Sequence, residues 1–225
     1  MAASIPDQSL PTKVQIKLKR HGARNVLHAI AVRALNVVFP FKILRGVYVE
    51  EPDARFLGHP PAYVPGFLNE TQLRAFAADD ANEMSPAFVV AALAKRDECY
   101  ALRDGAKLAA YGWYATTPTT VGTPTLLLHF SPSYVYMYKG FTGDAYRGQR
   151  LHAIGMTRAL QAYRQRGFRG LVSYVESTNF DSLKSCDRMG YHVFGSIYLL
   201  RLFGRDFAFS SPGCRQFDFR VEKAQ

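Results

Sequence analysis

The sequence has few cysteines and no long apolar run. Its three cysteines, Cys99, Cys186 and Cys214, are widely spaced, with no C-x-x-C pair among 225 residues. This pattern indicates neither a disulfide framework nor a structural zinc site, and no metal is predicted. The most apolar stretch, residues 26–41, contains charged residues and a proline and is shorter than the ~20 apolar residues of a membrane span. The amino terminus lacks the pattern of a secretory signal, so we expect a cytoplasmic protein.

Acidic residues are absent between Gln8 and Val49, where eight lysines and arginines occur. Apolar residues recur at helical spacing over about 23–38, which predicts an amphipathic helix in a basic extension, residues 1–41, ahead of a main domain, residues 42–225. We expect this helix to lie against the core through Val26, Leu27, Ile30 and Leu35.

Two interpretations of the basic extension stay open. It could bind an anionic partner, either a membrane surface or an acyl carrier protein, which would give the protein a peripheral position at a membrane. Alternatively, its charges form a solvated face of a helix packed on the domain. Nucleic acid is not an expected partner, because the basic run lacks interleaved aromatic residues.

Local signals predict the first elements of the main domain. A strand is expected over about 42–50 and an irregular loop over 57–68, which is rich in proline and glycine. Further along, two helices and a hairpin are expected, and the signals for them are an N-cap with a glutamine three residues later, a Ser-Pro pair and an Asp-Gly turn. These are the helix at about 70–79 after Asn69, the helix at about 86–95 after Ser85, and the hairpin at 100–113 around Asp104-Gly105.

The stretch from Tyr134 to about Arg166 organises the chain. Its first residues alternate in the manner of a strand, a basic turn with glycine follows at residues 146–149, and apolar residues then return at helical spacing. A turn between a strand and a helix presents free backbone N–H groups and the positive end of the helix dipole, to which Arg147 and Arg150 add full charges. This pattern indicates either a phosphate-binding turn or an ordinary connection that carries two arginines.

The following segment, residues 171–191, reads as a strand, a polar cap, a short helix, Gly190 and an aromatic residue. The two segments together, spanning roughly residues 85–200, resemble the GNAT superfamily of acyl-CoA-dependent N-acyltransferases. That family has a Q/R-x-x-G-x-G/A turn and an N-x-x-(S/A)-(I/L) helix that ends in G-(F/Y). Arg147 matches the first motif, and a set of residues matches the second: Asn179, Ser182, Leu183, Gly190 and Tyr191. Arg150 and His152 stand where the family has glycine and glycine or alanine, and Cys186 stands where many members have a tyrosine.

The resemblance implies a mixed α/β fold with a central, mostly antiparallel, twisted sheet of six or seven strands and helices on both faces, to which the N-terminal helix is added. Two strands near the middle of the sheet would separate where the cofactor enters. It also implies acetyl-CoA or another acyl-CoA as co-substrate. The cofactor-binding residues would be Phe141, Thr142, Arg147, Gly148, Gln149, Arg150, Leu151, His152, Asn179 and Ser182.

The expected reaction is direct transfer of an acyl group, most simply acetyl, to a primary amine of a small-molecule acceptor. It needs a base for the ammonium proton and an acid for the leaving thiolate. Glu176, at the end of a strand beside the expected cleft, is the candidate base, although it could equally cap the following helix. Tyr138 and Cys186 are the further catalytic candidates, and His129 and Tyr136 are weaker ones.

Two other functions stay open on the sequence. A long-chain acyl-CoA or an acyl carrier protein could be the donor, because the extension is basic and the chain is rich in aromatic residues. The replaced glycines and the missing tyrosine favour instead a catalytically silent module that binds acyl-CoA.

Overall fold

The chain combines α-helices with β-strands, as the sequence predicts. The computed structural model describes residues 18–224; residues 1–17, which hold the first part of the predicted basic extension, and residue 225 lie outside the described residues. The helices are α1 (Ala23–Val38), α2 (Glu70–Phe76), α3 (Pro86–Ala94), α4 (Leu151–Gln165) and α5 (Phe180–Arg188). The strands are β1 (Phe41–Val49), β2 (Tyr63–Phe67), β3 (Glu98–Asp104), β4 (Lys107–Ala115), β5 (Thr119–Val121), β6 (Thr123–His129), β7 (Tyr134–Thr142), β8 (Gly170–Glu176), β9 (His192–Leu202), β10 (Arg205–Ser210) and β11 (Arg220–Lys223).

Eight strands form the main sheet, in the order β10-β9-β1-β8-β7-β4-β3-β2. Neighbours pair antiparallel except β7 and β8, which are parallel. Strands β11, β6 and β5 form a separate small sheet. The predicted mixed α/β class with a mostly antiparallel sheet is confirmed, but the main sheet has eight strands where six or seven were expected.

One of the unexpected strands, β2, lies within residues 57–68, which were predicted to be an irregular loop. Within residues 18–224 it pairs with β3 alone, and it contains Pro65 opposite Leu102. Proline has no N–H to donate, but an edge strand needs hydrogen bonds on one side only. The proline-rich composition therefore hid a strand that the sheet edge tolerates.

Three hydrophobic clusters cover the sheet. Helix α4 packs on one face through Leu151, Ile154 and Leu160. The small sheet covers part of the other face, where Leu128 meets β1 and β9 residues such as Leu44. Helices α2 and α3 bury a third cluster against β3 and β4 around Trp113. Helices therefore lie on both faces, as expected.

The local signals in the first half of the main domain are confirmed. The Asn69 side chain accepts from the Gln72 N–H, and the Gln72 side chain accepts from the Asn69 N–H, which forms a capping box at the start of α2. The Ser85 side chain accepts from the Phe88 N–H at the start of α3, with Pro86 in the first helical turn. Gly105 has a φ of 56° in the turn between β3 and β4.

Helix α1 has the predicted bounds but not the predicted contacts. Only Val26 is buried, whereas Leu27 and Ile30 are 65% and 53% exposed and Leu35 is also exposed. The expectation that all four residues lie against the core is therefore wrong. Helical periodicity defines an apolar stripe, but it does not determine how much of that stripe a neighbouring sheet covers.

Among residues 18–224, no helix combines the length and the apolar character that crossing a membrane requires.

A glycine at the start of β8 sets how closely β1 approaches. A Cβ added to Gly170 would lie 2.3 Å from the backbone oxygen of Val49. We expect Gly170→Ala to lower the free energy of unfolding by roughly 1–3 kcal/mol, because backbone cannot move aside cheaply in a paired strand. Gly66→Ala is the matched control, because nothing lies within 4 Å of its added Cβ. Urea denaturation of both variants measures the difference, and equal stabilities would contradict the close contact.

Candidate functional site

Strands β7 and β8 separate part-way along their length. Their parallel pairing covers only three positions, from Tyr134 with Gly170 to Tyr136 with Val172. Beyond that point β7 continues to Thr142 on β4, and β8 continues to Glu176 on β1. Strand β7 thus stays paired with β4 and β8 stays paired with β1, but the two strands no longer pair with each other. This opens a V-shaped gap that we call the fork.

The fork begins at a β-bulge. On β4, Trp113 pairs with Lys139 and Tyr114 pairs with Met137, so Tyr138 has no partner across the pair. A bulge bends its strand and increases the local twist, which turns the end of β7 away from β8. At the same level the Ser173 hydroxyl donates to the Met137 carbonyl at 2.7 Å, so a side chain makes the last link before the strands part.

Part of the β7 backbone beyond the bulge faces the fork. The Gly143 N–H donates to the Ala109 carbonyl at 3.0 Å, so this position faces β4. Since backbone groups alternate along a strand, Phe141 also faces β4, whereas Gly140 and Thr142 face the fork. Of the two residues expected to pair with an extended ligand, Thr142 therefore has the suitable orientation and Phe141 does not.

The turn after β7 has the backbone conformation of a glycine-rich loop. Gly148 has a φ of 83° and Arg150 a φ of 61°, and α4 begins at the next residue. Arg150 stands at a position where the GNAT motif has glycine. The left-handed conformation destabilises the folded state by about 1–2 kcal/mol when the residue is an arginine. The conformation is thus kept although the residue differs.

The first turn of α4 leaves backbone donors free. Within residues 18–224 no side chain caps the helix, and its first internal bond runs from the Ile154 N–H to the Arg150 carbonyl. The N–H groups of Leu151, His152 and Ala153 therefore point out of the helix end together. Such an end attracts anions through these donors and the helix dipole.

His152 does not crowd this turn. Its ring packs against Gly140 so closely that a Cβ there would lie 2.5 Å from His152 Cε1. The side chain is thus directed at the sheet, and burial lowers its pKa, which favours the neutral imidazole. The side chain of Leu151 is buried in the core beside α4. At both positions only the backbone N–H is offered to a ligand.

Two polar side chains of the turn, those of Arg147 and Gln149, have partners within the protein. Arg147 forms an exposed ion pair with Asp144 at 2.7 Å. The Gln149 side-chain oxygen accepts a hydrogen bond from the Tyr63 hydroxyl at 2.5 Å, which ties the turn to β2. Arg150 is exposed. An anion at the helix end would compete with Asp144 for Arg147.

Asn179 and Ser182 belong to the N-terminal cap of α5. The Asn179 side-chain oxygen accepts from the Ser182 N–H at 3.1 Å. The Asn179 N–H donates to the Glu176 carbonyl at 2.8 Å, so the cap follows directly from the end of β8. This use of the oxygen leaves the exposed amide NH₂ of Asn179 available to donate to a ligand in the fork.

Glu176 is an exposed carboxylate at the end of β8. It pairs with Lys42 Nζ at 2.8 Å, and its side chain makes no hydrogen bond to the α5 cap among residues 18–224. Tyr174, two residues earlier and on the same face, stacks on Tyr136 with ring centroids 6.3 Å apart. The carboxylate can therefore act on groups that enter beside this aromatic stack.

Tyr138 is held by a buried carboxylate. Its hydroxyl donates to Asp97 Oδ2 at 2.9 Å, and Lys95 Nζ lies 3.0 Å from the same oxygen. Burial and then the Asp97 charge raise the pKa of Tyr138 far above its usual value. Its proton is therefore committed to Asp97. Sequence reasoning missed Asp97 and Lys95, because a run of charged residues before a strand is typical of a solvated turn.

Cys186 is half-buried on α5 and packs against the cluster beneath α4. Burial raises the pKa of its thiol to about 11. The thiol therefore stays protonated near neutral pH, which favours a donor or a packing role over a nucleophile.

The two weaker candidates lie in different settings. His129 contacts Glu222 at 3.4 Å on the small sheet, and its side chain points away from the face that buries Leu128. Tyr136 is buried under that sheet, and burial followed by Tyr174 raises its pKa. Only Tyr136 borders the fork. Among residues 18–224 no cluster of histidine, cysteine and carboxylate side chains could hold a metal ion.

No protein-family model matches the chain, and no curated protein matches it. Similar solved structures include an acetyltransferase of the GNAT family from Novosphingobium aromaticivorans, at 14% identity and a TM-score of 0.48, with 83% of this chain and 66% of that chain covered. A GNAT-family acetyltransferase from Colwellia psychrerythraea has 16% identity and a TM-score of 0.49 over 79% of this chain and 60% of that one. An aminoglycoside N-acetyltransferase in complex with CoA has 12% identity and a TM-score of 0.44 over 57% of this chain and 86% of that one. The chain therefore spans less than two thirds of the length of the first two.

Substitutions at Arg150 separate its backbone from its charge. Arg150→Gly and Arg150→Ala both remove the guanidinium, but only glycine adopts a φ of 61° without strain. We expect the glycine variant to be more stable than the alanine variant by about 1 kcal/mol. Thermal and urea denaturation measure this difference, and an alanine variant of equal or greater stability would contradict the left-handed conformation.

Proposed function

We propose that this protein is an N-acyltransferase that moves an acyl group, most simply acetyl, from coenzyme A to a primary amine. The observation that carries the proposal is the fork between β7 and β8, with the turn of residues 147–152 and the outward N–H groups of Leu151, His152 and Ala153 at its mouth. An extended thioester with a phosphate group at one end fits this combination of an open strand edge and a helix end. The motif resemblance in the same residues supports it.

The residues present suit the cofactor. The N–H groups from Gly148 to His152, with Arg147 and Arg150, would hold the pyrophosphate. The backbone of Gly140 and Thr142 would pair with the amides of the pantetheine arm in the manner of an added strand. The NH₂ group of Asn179 would donate to the same arm from across the fork, with Ser182 fixing its orientation.

Coenzyme A supplies the acyl group as an activated thioester. Glu176 would take a proton from the ammonium of the acceptor, and the free amine would then attack the thioester carbon. As the C–N bond forms and the C–S bond breaks, the nitrogen loses its second proton and the thiolate takes up a proton. Lys42 would hold the Glu176 carboxylate in place at the end of β8 until the acceptor's ammonium arrives.

The two candidate proton donors to the leaving thiolate, Cys186 and Tyr138, are weak acids and suit that role less well than Glu176 suits the role of base. Cys186, with a pKa of about 11, is a stronger acid than Tyr138, whose proton is also engaged by Asp97. Cys186 could therefore serve as the donor, with water as the alternative. This mismatch is the observation that favours a second candidate, a catalytically silent module that binds acyl-CoA.

The identity of the acyl donor is also a proposal. Helix α1 exposes Leu27 and Ile30 together with Arg24 and Arg33, which suits a long acyl chain or an acyl carrier protein better than a buried helix would. The partner would be an acidic carrier protein or an anionic membrane surface, and the acceptor a small amine.

Calorimetry with coenzyme A, followed by thiol-release assays of acetyl-CoA and longer acyl-CoAs on an amine panel, tests the proposal. Binding with turnover supports the enzyme, and binding without turnover on any donor supports the silent module. Absence of coenzyme A binding would reject both.

Arg147 gives the most direct test of the phosphate turn. Because its side chain is 67% exposed and already paired with Asp144, we expect Arg147→Ala to weaken coenzyme A binding by about 1.5 kcal/mol, the lower end for a charge-assisted contact. Asp144→Asn is the matched control, because it frees Arg147 and should leave affinity unchanged or raised. Calorimetry at low and high salt measures both. Equal losses in the two variants would show that the ion pair only shapes the turn.

Cys186→Ala should keep most of the turnover, since direct transfer needs no covalent sulfur. At a pKa of about 11, roughly one thiol in a thousand is ionised at pH 8, which is too few for an efficient nucleophile. Steady-state kinetics of the alanine and serine variants measure this. A folded alanine variant that binds coenzyme A but loses its activity would identify Cys186 as the acid.

Glu176→Gln should lower kcat by about 10²-fold or more, which is typical for the loss of a general base. The KM for acetyl-CoA should change little, because Glu176 lies at the acceptor end of the fork. Lys42→Met is the control, since it removes the counterion but keeps the carboxylate. If the glutamine variant retained wild-type kcat, Glu176 would have no part in proton removal.

A further inference from the structure

A second cavity lies on the far side of α5 from the fork. Helix α1 and α5 enclose it above β1, and its volume is about 600 Å³. The residues that characterise its lining are Arg20, Arg24, His28, Arg45, Phe180 and Lys184. Three segments of the chain contribute to this lining, namely residues 20–28, Arg45 and residues 177–187, so the cavity depends on the tertiary structure.

The lining is strongly cationic. Four arginine and lysine side chains line the cavity, and Asp187 contributes the single carboxylate of this lining. Arg20 pairs with Asp181 at 2.8 Å, but within residues 18–224 Arg24, Arg45 and Lys184 have no ion-pair partner. Converging cations without counterions repel one another, and an anion between them would relieve that repulsion.

Arg45 is the centre of this charge. It is half-buried on β1, and its NH1 group donates to the Ser196 hydroxyl at 2.8 Å, while Ser196 itself is buried. A partly buried guanidinium that has no ion-pair partner within residues 18–224 would be stabilised by an anionic ligand in the cavity. The bond to Ser196 fixes one nitrogen and leaves other guanidinium donors free for the cavity.

The opposite wall is fixed by contacts between α1 and the start of α5. His28 Nε2 lies 2.9 Å from the hydroxyl of Ser177, a residue that is 4% exposed. His21 packs against Phe180 with ring centroids 5.3 Å apart. These contacts place the cationic face of α1 over the cavity and add an aromatic surface beside it.

We propose that this cavity binds the phosphate group of a small organic phosphate ester. Guanidinium groups form paired, charge-assisted hydrogen bonds with phosphate oxygens, and Lys184 supplies a further cation. The volume exceeds that of a bare phosphate ion, and Phe180 and Leu183 provide an apolar wall for the organic part. The site is separate from the fork, because Cys186 lies on the other side of α5 and packs towards α4. The proposal does not depend on acyl transfer.

The test uses pyridoxal 5′-phosphate, whose aldehyde forms an imine with a nearby lysine that borohydride then reduces. After tryptic digestion, mass spectrometry should find the label on Lys184, and excess AMP should suppress it. Pyridoxal, which lacks the phosphate, should label this lysine at least tenfold less. Calorimetry with AMP and with adenosine should show binding of the phosphate ester alone.

Variants separate the site from general charge. Arg45→Met and Arg24→Gln should each weaken AMP binding at least tenfold. Arg33→Gln, which removes an exposed cation from the same helix but outside the cavity, should stay within twofold. Because Arg45 is half-buried, circular dichroism checks the fold of Arg45→Met, and the exposed Arg24→Gln keeps the test valid if that variant unfolds.

Three results would overturn the proposal. Wild-type protein that binds no phosphate ester at millimolar concentration would do so directly. An equal loss of affinity in Arg33→Gln would show binding to net charge only. If AMP no longer protected Lys184 from labelling in Arg147→Ala but still protected it in Arg24→Gln, the phosphate would be assigned to the turn before α4.

Discussion

The hydrogen bonds that β7 and β8 do not make with each other are the constraint on which the site depends. A central strand normally has partners on both sides, because unpaired backbone groups are costly when they are buried. Here each strand keeps one full partner, β4 or β1, so the missing bonds are confined to the two edges of the fork. The bulge at Tyr138 provides the bend, and Ser173 closes the fork at its base. An extended ligand with its own amides could satisfy these edges.

The turn before α4 has a complementary arrangement. Arg150 is strained by its left-handed conformation, and the helix end beside it has no capping side chain among residues 18–224, which leaves backbone N–H groups free. A strained backbone conformation persists only where the surrounding structure determines it. His152 lies under β7 because Gly140 leaves room for its ring. The His152 side chain, which differs from the family pattern, is thus directed away from the turn, and the backbone of the turn remains accessible.

The features predicted from sequence are those with local causes. The capping box at Asn69 and the strand, turn and helix from Tyr134 onwards depend on residues close together in the chain. The features that were missed depend on distant partners. Strand β2 needed β3 beside it, and the role of Asp97 needed Tyr138, 41 positions further on. The packing of α1 was mispredicted because periodicity gives the apolar face of a helix but not the extent of the surface that meets it.

Hydrogen–deuterium exchange on adding coenzyme A tests the central claim most directly, because it reports on the backbone donors of the fork themselves. Amides of residues 139–142 and 148–153 should exchange more slowly in the complex, and those of the small sheet, β5, β6 and β11, should be unchanged. Binding without any protection in these two segments, or protection confined to α1, would contradict a cofactor site at the fork.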